Sequence, residues 1–145
     1  MTELARPRAG MKVLEVGTGS GYQAAVLAEL VGTVVSIEII PELGSAAERT
    51  LGALGYRNVR VVVGDGFDGS PADAPFDAIV VTAAPEKIPP PLLEQLAIGG
   101  RLVIPVGSAQ QELLVIMRTE SGYRRESVIP VRFVPMTGKA DGHPP

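Results

Sequence analysis

The chain of 145 residues contains no cysteine and a single histidine, His143, two residues from its end. The first absence removes a disulfide framework and any thiolate metal site, and the second removes most imidazole-based metal clusters and nucleophilic triads, so no metal is expected. No apolar run approaches the ~18 residues that span a bilayer, and no charged-then-apolar leader opens the chain. A membrane partner is therefore not expected, and the chain reads as cytoplasmic. A basic field is missing too. Thirteen Lys and Arg stand against 16 Asp and Glu, a net charge of −3, which points away from nucleic acid as a partner. Arg124 and Arg125 are an adjacent basic pair, and a solvated turn accounts for them.

What is present is an ordinary globular composition, 46% hydrophobic and 20% charged. A chain of this length fits one domain, which can bury roughly 68–70% of its unfolded surface. No internal repeat is visible.

The organising stretch is 13–22, VLEVGTGSGY, followed by helix formers at 23–30. An apolar run that turns glycine-rich and then helix-forming predicts strand, tight turn and helix, half of a nucleotide-binding βαβ unit. Gly17, Gly19 and Gly21 offer backbone clearance where a Cβ would block a ligand. A dinucleotide fingerprint reads G-x-G-x-x-G, whereas Tyr22 stands here where the third glycine belongs. With Glu15 inside the strand end, the spacing suits a ligand carrying positive charge and ammonium donors, a description that S-adenosylmethionine meets. A purely structural strand-to-helix turn is the alternative.

Residues 33–38 are a β-branched second strand ending in Glu38, twenty-one positions after Gly17. An acid about 20 residues past the glycines can accept both ribose hydroxyls; a surface glutamate is the plain alternative. Gly32 is expected to cap the preceding helix, and Pro41-Glu42 to open another that runs to Leu54 with Gly55 as its stop. Gly44 predicts an irregular first turn in that helix. Residues 59–63 form strand three, followed by Gly64-Asp65-Gly66, where an acid at a strand's carboxyl end could accept the adenine amine or simply make a turn. Residues 67–75 are loop and 76–82 strand four; Ala83, Ala84 and Pro85 leave room beside a ligand. A short helix is expected at 92–96, strand five at 101–106, and an antiparallel hairpin from 112–118 and 124–135. The residues from 137 onward are expected to be disordered. The alternation implies an α/β fold with a mostly parallel sheet and right-handed crossovers.

Taken together, VLEVGTGSGY, SIEIIPEL (36–43), GDG (64–66), FDAIVVTAAP (76–85), GGRLVIPVG (99–107) and VRFVPMTG (131–138) resemble the protein-L-isoaspartate O-methyltransferase family. The resemblance implies a Rossmann-like S-adenosylmethionine-dependent methyltransferase fold over 1–138 with a C-terminal antiparallel hairpin, and a tail at 139–145. It implies methyl transfer from S-adenosylmethionine to the α-carboxylate of L-isoaspartyl residues in damaged proteins or peptides, a repair reaction in which the ester collapses to a succinimide that can reopen to aspartate. By position, the cofactor residues are Glu15, Gly17, Thr18, Gly19, Ser20, Gly21, Glu38, Gly64, Asp65, Gly66 and Thr82. The substrate residues are Thr82 and Ala83, with Arg132, Phe133, Val134 and Pro135. The family also carries, ahead of the first nucleotide-binding strand, a Thr-Ile-Ser-Gln-Pro motif whose serine is regarded as the active-site residue. This chain lacks that motif, so it reads as an amino-terminally shortened form with no catalytic residue assigned. A non-catalytic S-adenosylmethionine-binding module is the alternative; a nicotinamide oxidoreductase is disfavoured by Tyr22.

Overall fold

Seven strands pair into one sheet whose order decides where a ligand can sit. The computed structural model describes residues 1–142; His143, Pro144 and Pro145 lie outside the described residues. In chain order the elements are α1 (Thr2–Ala5), β1 (Lys12–Val16), α2 (Tyr22–Leu30), β2 (Thr33–Glu38), α3 (Pro41–Ala53), β3 (Val59–Val63), β4 (Phe76–Val81), α4 (Pro90–Glu94), β5 (Leu96–Gly107), β6 (Gln111–Thr119) and β7 (Gly122–Val131). The sheet order is β3-β2-β1-β4-β5-β6-β7. β1 to β5 pair parallel, then β6 runs antiparallel to β5 and β7 to β6. β1 lies between β2 and β4, so the connections leaving β1 and β4 diverge there and open a crevice at the carboxyl ends of the strands.

The near-continuous apolar strands follow from burial on both faces. Val13 of β1 joins a cluster with Leu27, Val34, Val80 and Val103, while Leu14 and Val16 join the opposite one with Ile37, Ile79 and Phe76. Successive side chains of a strand alternate between faces, so one run of five residues fills both cores. Truncating a wholly buried Leu14 or Leu27 to Ala would cost about 2–5 kcal/mol. β3, at the sheet margin, is only partly covered.

Helix α3 starts on Pro41 and stops at Leu54, with Gly55 at positive φ beyond it, as the sequence predicts. Its first turn is not irregular. Gly44 is buried, and a Cβ there would stand 3.0 Å from Val63 Cγ2 and 3.5 Å from Glu38 Cβ, so the glycine lets the helix approach the ends of β2 and β3. Gly32 is likewise a packing residue and not the expected left-handed cap. Val31 caps α2 in an extended conformation, and Gly32 abuts the Gly10 backbone.

The second half departs from expectation in its boundaries. Proline at the first helical position moves the short helix to Pro90–Glu94. β5 begins at Leu96, five residues early, because 97–100 form an irregularity between the pairs Phe76↔Leu96 and Ala78↔Arg101. Pro130 stays within β7 because β7 is the outermost strand, where a missing N–H leaves no ladder bond broken. Where a disordered tail is expected, Gly138–Asp141 forms a 3-10 turn. It is held by Lys139, whose N–H donates to Asp65 Oδ2 at 2.8 Å and whose ammonium pairs with Asp68 at 2.6 Å.

Candidate active site

The carboxyl ends of β1, β2 and β4 border a cleft of about 590 Å³. Gly17 and Gly19 form one side after β1; Glu38, Ile39 and Ile40, with Leu43 of α3, form another after β2. Thr82 and Ala83 stand after β4, and Val134, Pro135 and Met136 close the far side. The closing segment is tied to β4 like a short strand: Ala84 N–H donates to Val134 O at 2.8 Å and Met136 N–H to Ala84 O at 2.9 Å.

Glu38 is the charged group of the cleft. It is only 6% exposed, and its carboxylate accepts from Gly19 N–H at 2.8 Å and Ile40 N–H at 3.1 Å. Each oxygen keeps a lone pair for a further donor, so the group can hold a diol while fixing both loops around it. Glu15 lies beneath the loop, fully buried, and does not line the cleft. Ser36 Oγ–H donates to Glu15 Oε1 at 2.5 Å, and Thr18 Oγ1 stands 2.6 Å from Ser36 Oγ. Oε2 has no partner among the described residues. Burial pushes the Glu15 carboxyl up to about 7, the Ser36 bond opposing this and the negative charge of Glu38 adding to it.

The three loop glycines divide their work. A Cβ on Gly17 would overlap the Thr82 hydroxyl, which lies 3.0 Å from Val16 O and 2.9 Å from Gly17 O and so latches β4 to the loop. Gly21, at φ 87, faces Leu51 and Ala47 of α3 and does not line the cleft. Gly19 alone of the three, at φ 53, has open space where its Cβ would be. Of the three glycines expected to clear a ligand, Gly17 and Gly19 line the cleft.

The other expected residues are distributed unevenly. Gly66 lines the cleft, pressed so closely on Val16 that a side chain would not fit. Gly64 and Ser20 do not line it. Asp65 also stands outside the wall and spends both oxygens on backbone: Oδ1 accepts from Phe67 N–H at 2.9 Å, Oδ2 from Lys139 N–H. Arg132 is exposed and Phe133 half-buried, and neither lines the cleft. The sequence reading missed Ile39, Ile40, Leu43 and Met136. An isoleucine pair straight after the strand-end acid was a usable signal for the first two, and Met136 lies within the motif VRFVPMTG beside the named Pro135.

A sequence profile of the family described as protein-L-isoaspartate(D-aspartate) O-methyltransferase (PCMT) matches residues 1–141. The chain belongs to that family. It is 60% identical over 139 residues to a protein-L-isoaspartate O-methyltransferase of Gloeobacter violaceus, covering 94% of this chain and 68% of that one. It is 51% identical over 142 residues to the corresponding protein of Picosynechococcus, covering 98% and 64%. Among solved structures, a protein-L-isoaspartate O-methyltransferase superposes with a TM-score of 0.91 at 33% identity, over 96% of this chain and 46% of that one. A Plasmodium falciparum protein solved in complex with S-adenosyl-L-homocysteine shares the fold, with a TM-score of 0.78 at 23% identity over 90% and 67%. The chain thus spans about two thirds of the curated relatives' length, or a little less. Within the isoaspartyl methyltransferase family, this chain therefore presents the sheet, the glycine loop and the strand-end acids.

Proposed function

We propose that this chain binds S-adenosylmethionine in the cleft and catalyses methyl transfer to the α-carboxylate of L-isoaspartyl residues in damaged proteins. The observation that carries the reading is Glu38: a carboxylate 6% exposed at the end of β2, lining the cleft beside the backbone of Gly19, from whose N–H it accepts at 2.8 Å. The donor set fits the cofactor. Glu38 can accept two hydroxyls, and the apolar groups of Ile39, Ile40 and Leu43 can flank a flat base. S-adenosylmethionine supplies the reaction with a methyl group made electrophilic by a sulfonium.

The chain's residues then have to align and shield. The acceptor carboxylate, with an ordinary pKa near 4, is already ionised at neutral pH and needs no general base. Alignment is the main contribution, and well-held reactants can gain about 7–11 kcal/mol of barrier this way. Thr82 keeps the loop beside the reacting groups by its bonds to Val16 O and Gly17 O. The Val134–Met136 segment, stapled to Ala84, forms the wall an acceptor peptide would meet.

Incubation with methyl-labelled cofactor and an isoaspartyl peptide, with the matching aspartyl peptide as control, tests the reading. The expected result is a base-labile methyl ester on the isoaspartyl peptide alone, with formation of S-adenosylhomocysteine. Cofactor binding without transfer would leave a binding module; absence of cofactor binding would sink both.

A further inference from the structure

β6 begins at Gln111, where the ladder ends. Gln111 pairs with Gly107 of β5 on one side and with Val131, the last residue of β7, on the other. Past Val131 the chain leaves the sheet for the cleft, and no backbone of β6 remains to pair with it, because 107–111 is already the turn from β5. The Gln111 side chain takes the place of that missing peptide group. Phe133 N–H donates to Gln111 Oε1 at 2.7 Å, and Gln111 Nε2 donates to Phe133 O at 3.1 Å. Donor and acceptor match on both arms, so the amide orientation is set by the pair itself.

We propose that Gln111 is a positioning residue for the acceptor side of the reaction: by gripping Phe133 through both backbone groups, it sets where Val134 stands over the cleft and hence where the acceptor peptide lies. The proposal rests on the activity proposed above. Two fastenings hold this segment, and they act on different residues. Ala84 staples Val134 and Met136 to the end of β4, which keeps the cofactor side of the wall in place. Gln111 alone holds Phe133 among the described hydrogen bonds, and Val134, the next residue, is 69% exposed at the cleft mouth. Gln111 also lines an adjoining cleft of about 560 Å³ that shares Pro135 and Met136 with the first. A polypeptide reaching the first cleft has room to run through the second, along the segment Gln111 anchors. Cofactor affinity and acceptor affinity are therefore expected to separate when Gln111 is changed.

Two substitutions test this on the whole chain. Gln111→Met keeps the length and removes both bonds; Gln111→Glu keeps the acceptor for Phe133 N–H and loses the donor. With Gln111→Met, KM for an isoaspartyl peptide should rise about tenfold, the scale of losing one to two neutral hydrogen bonds. Its kcat should stay within about threefold, and the Kd for S-adenosylhomocysteine within about twofold. Gln111→Glu should fall between, and its KM, taken as a ratio to wild type at each pH, should approach one as pH falls toward 4.5 and the carboxyl regains a proton to donate. A merely structural role would move cofactor affinity and melting temperature together with KM and would show no such pH rescue. Unchanged KM in Gln111→Met beside normal wild-type turnover overturns this proposal alone. A wild-type chain that binds S-adenosylhomocysteine yet transfers no methyl overturns the activity reading and this proposal with it.

Discussion

Glu15 links charge, burial and stability at a single carboxyl. Its folded-state value is about 7 against an ordinary 4.5, so the protonated form is the one the fold favours. The stabilisation this group contributes is complete below pH 4.5 and is lost as pH rises through about 7. The loss should be on the order of 3 kcal/mol. Urea unfolding of the ligand-free chain from pH 4.5 to 8 should show that decline, and Glu15→Gln should flatten it; an equally steep decline in the variant would assign the titration elsewhere. At Glu38, the carboxylate already bonds Gly19 and Ile40 N–H groups, so removing it loosens both loops as well as the ribose contact proposed for it. Glu38→Ala should weaken S-adenosylhomocysteine binding roughly 10- to 150-fold, from about 1.5–3 kcal/mol for hydrogen bonds to a charged group. Calorimetry on the folded variant measures this directly, and unchanged affinity would remove Glu38 from the site.

Among the elements, the C-terminal turn shows how an acid at a strand end can also clamp distant backbone. Asp65 follows β3 where a ligand acid is expected, yet its two oxygens join the turn at Phe67 to the 3-10 turn at Gly138–Asp141. Asp65→Ala should therefore lower stability by about 1.5–3 kcal/mol, the range for hydrogen bonds to a charged group. The same change should open the Lys139–Ala140 bond to trypsin. If stability and protease resistance held while cofactor affinity fell, Asp65 would be an adenine ligand and not a clamp. This docking was illegible in the sequence, because the pattern of Gly, Lys and Asp at 138–141 is what a solvated tail also shows. The strand-loop-helix around Gly19 was legible, since a glycine triplet between a β-branched run and a helix former leaves the backbone few alternatives.

For the whole molecule, ligand binding and folding are linked. At about 100 times Kd a ligand specific for the folded state adds roughly 2.7 kcal/mol. In a domain of this size that corresponds to a rise of about 10 °C in Tm. S-adenosylhomocysteine should produce such a shift and a nicotinamide dinucleotide none; the reverse result would return the glycine loop to a dinucleotide site. Several apolar side chains stay uncovered around the cleft, with Ile40 47%, Leu43 43% and Val134 69% exposed, and a bound cofactor and peptide would cover them.

The sequence by itself determined the parallel α/β alternation, the place of the glycine loop and the acid at the end of β2. These are local patterns, because strand burial, turn geometry and helix starts are written in residues close along the chain. Only the tertiary structure decided which of the candidate residues meet. Gly17 serves Thr82 and Gly21 serves α3, Asp65 holds a turn 74 residues away, and Gln111 holds a backbone 22 residues on. Each of these depends on sheet order and register, which bring distant segments into contact and leave no periodic signal in the sequence.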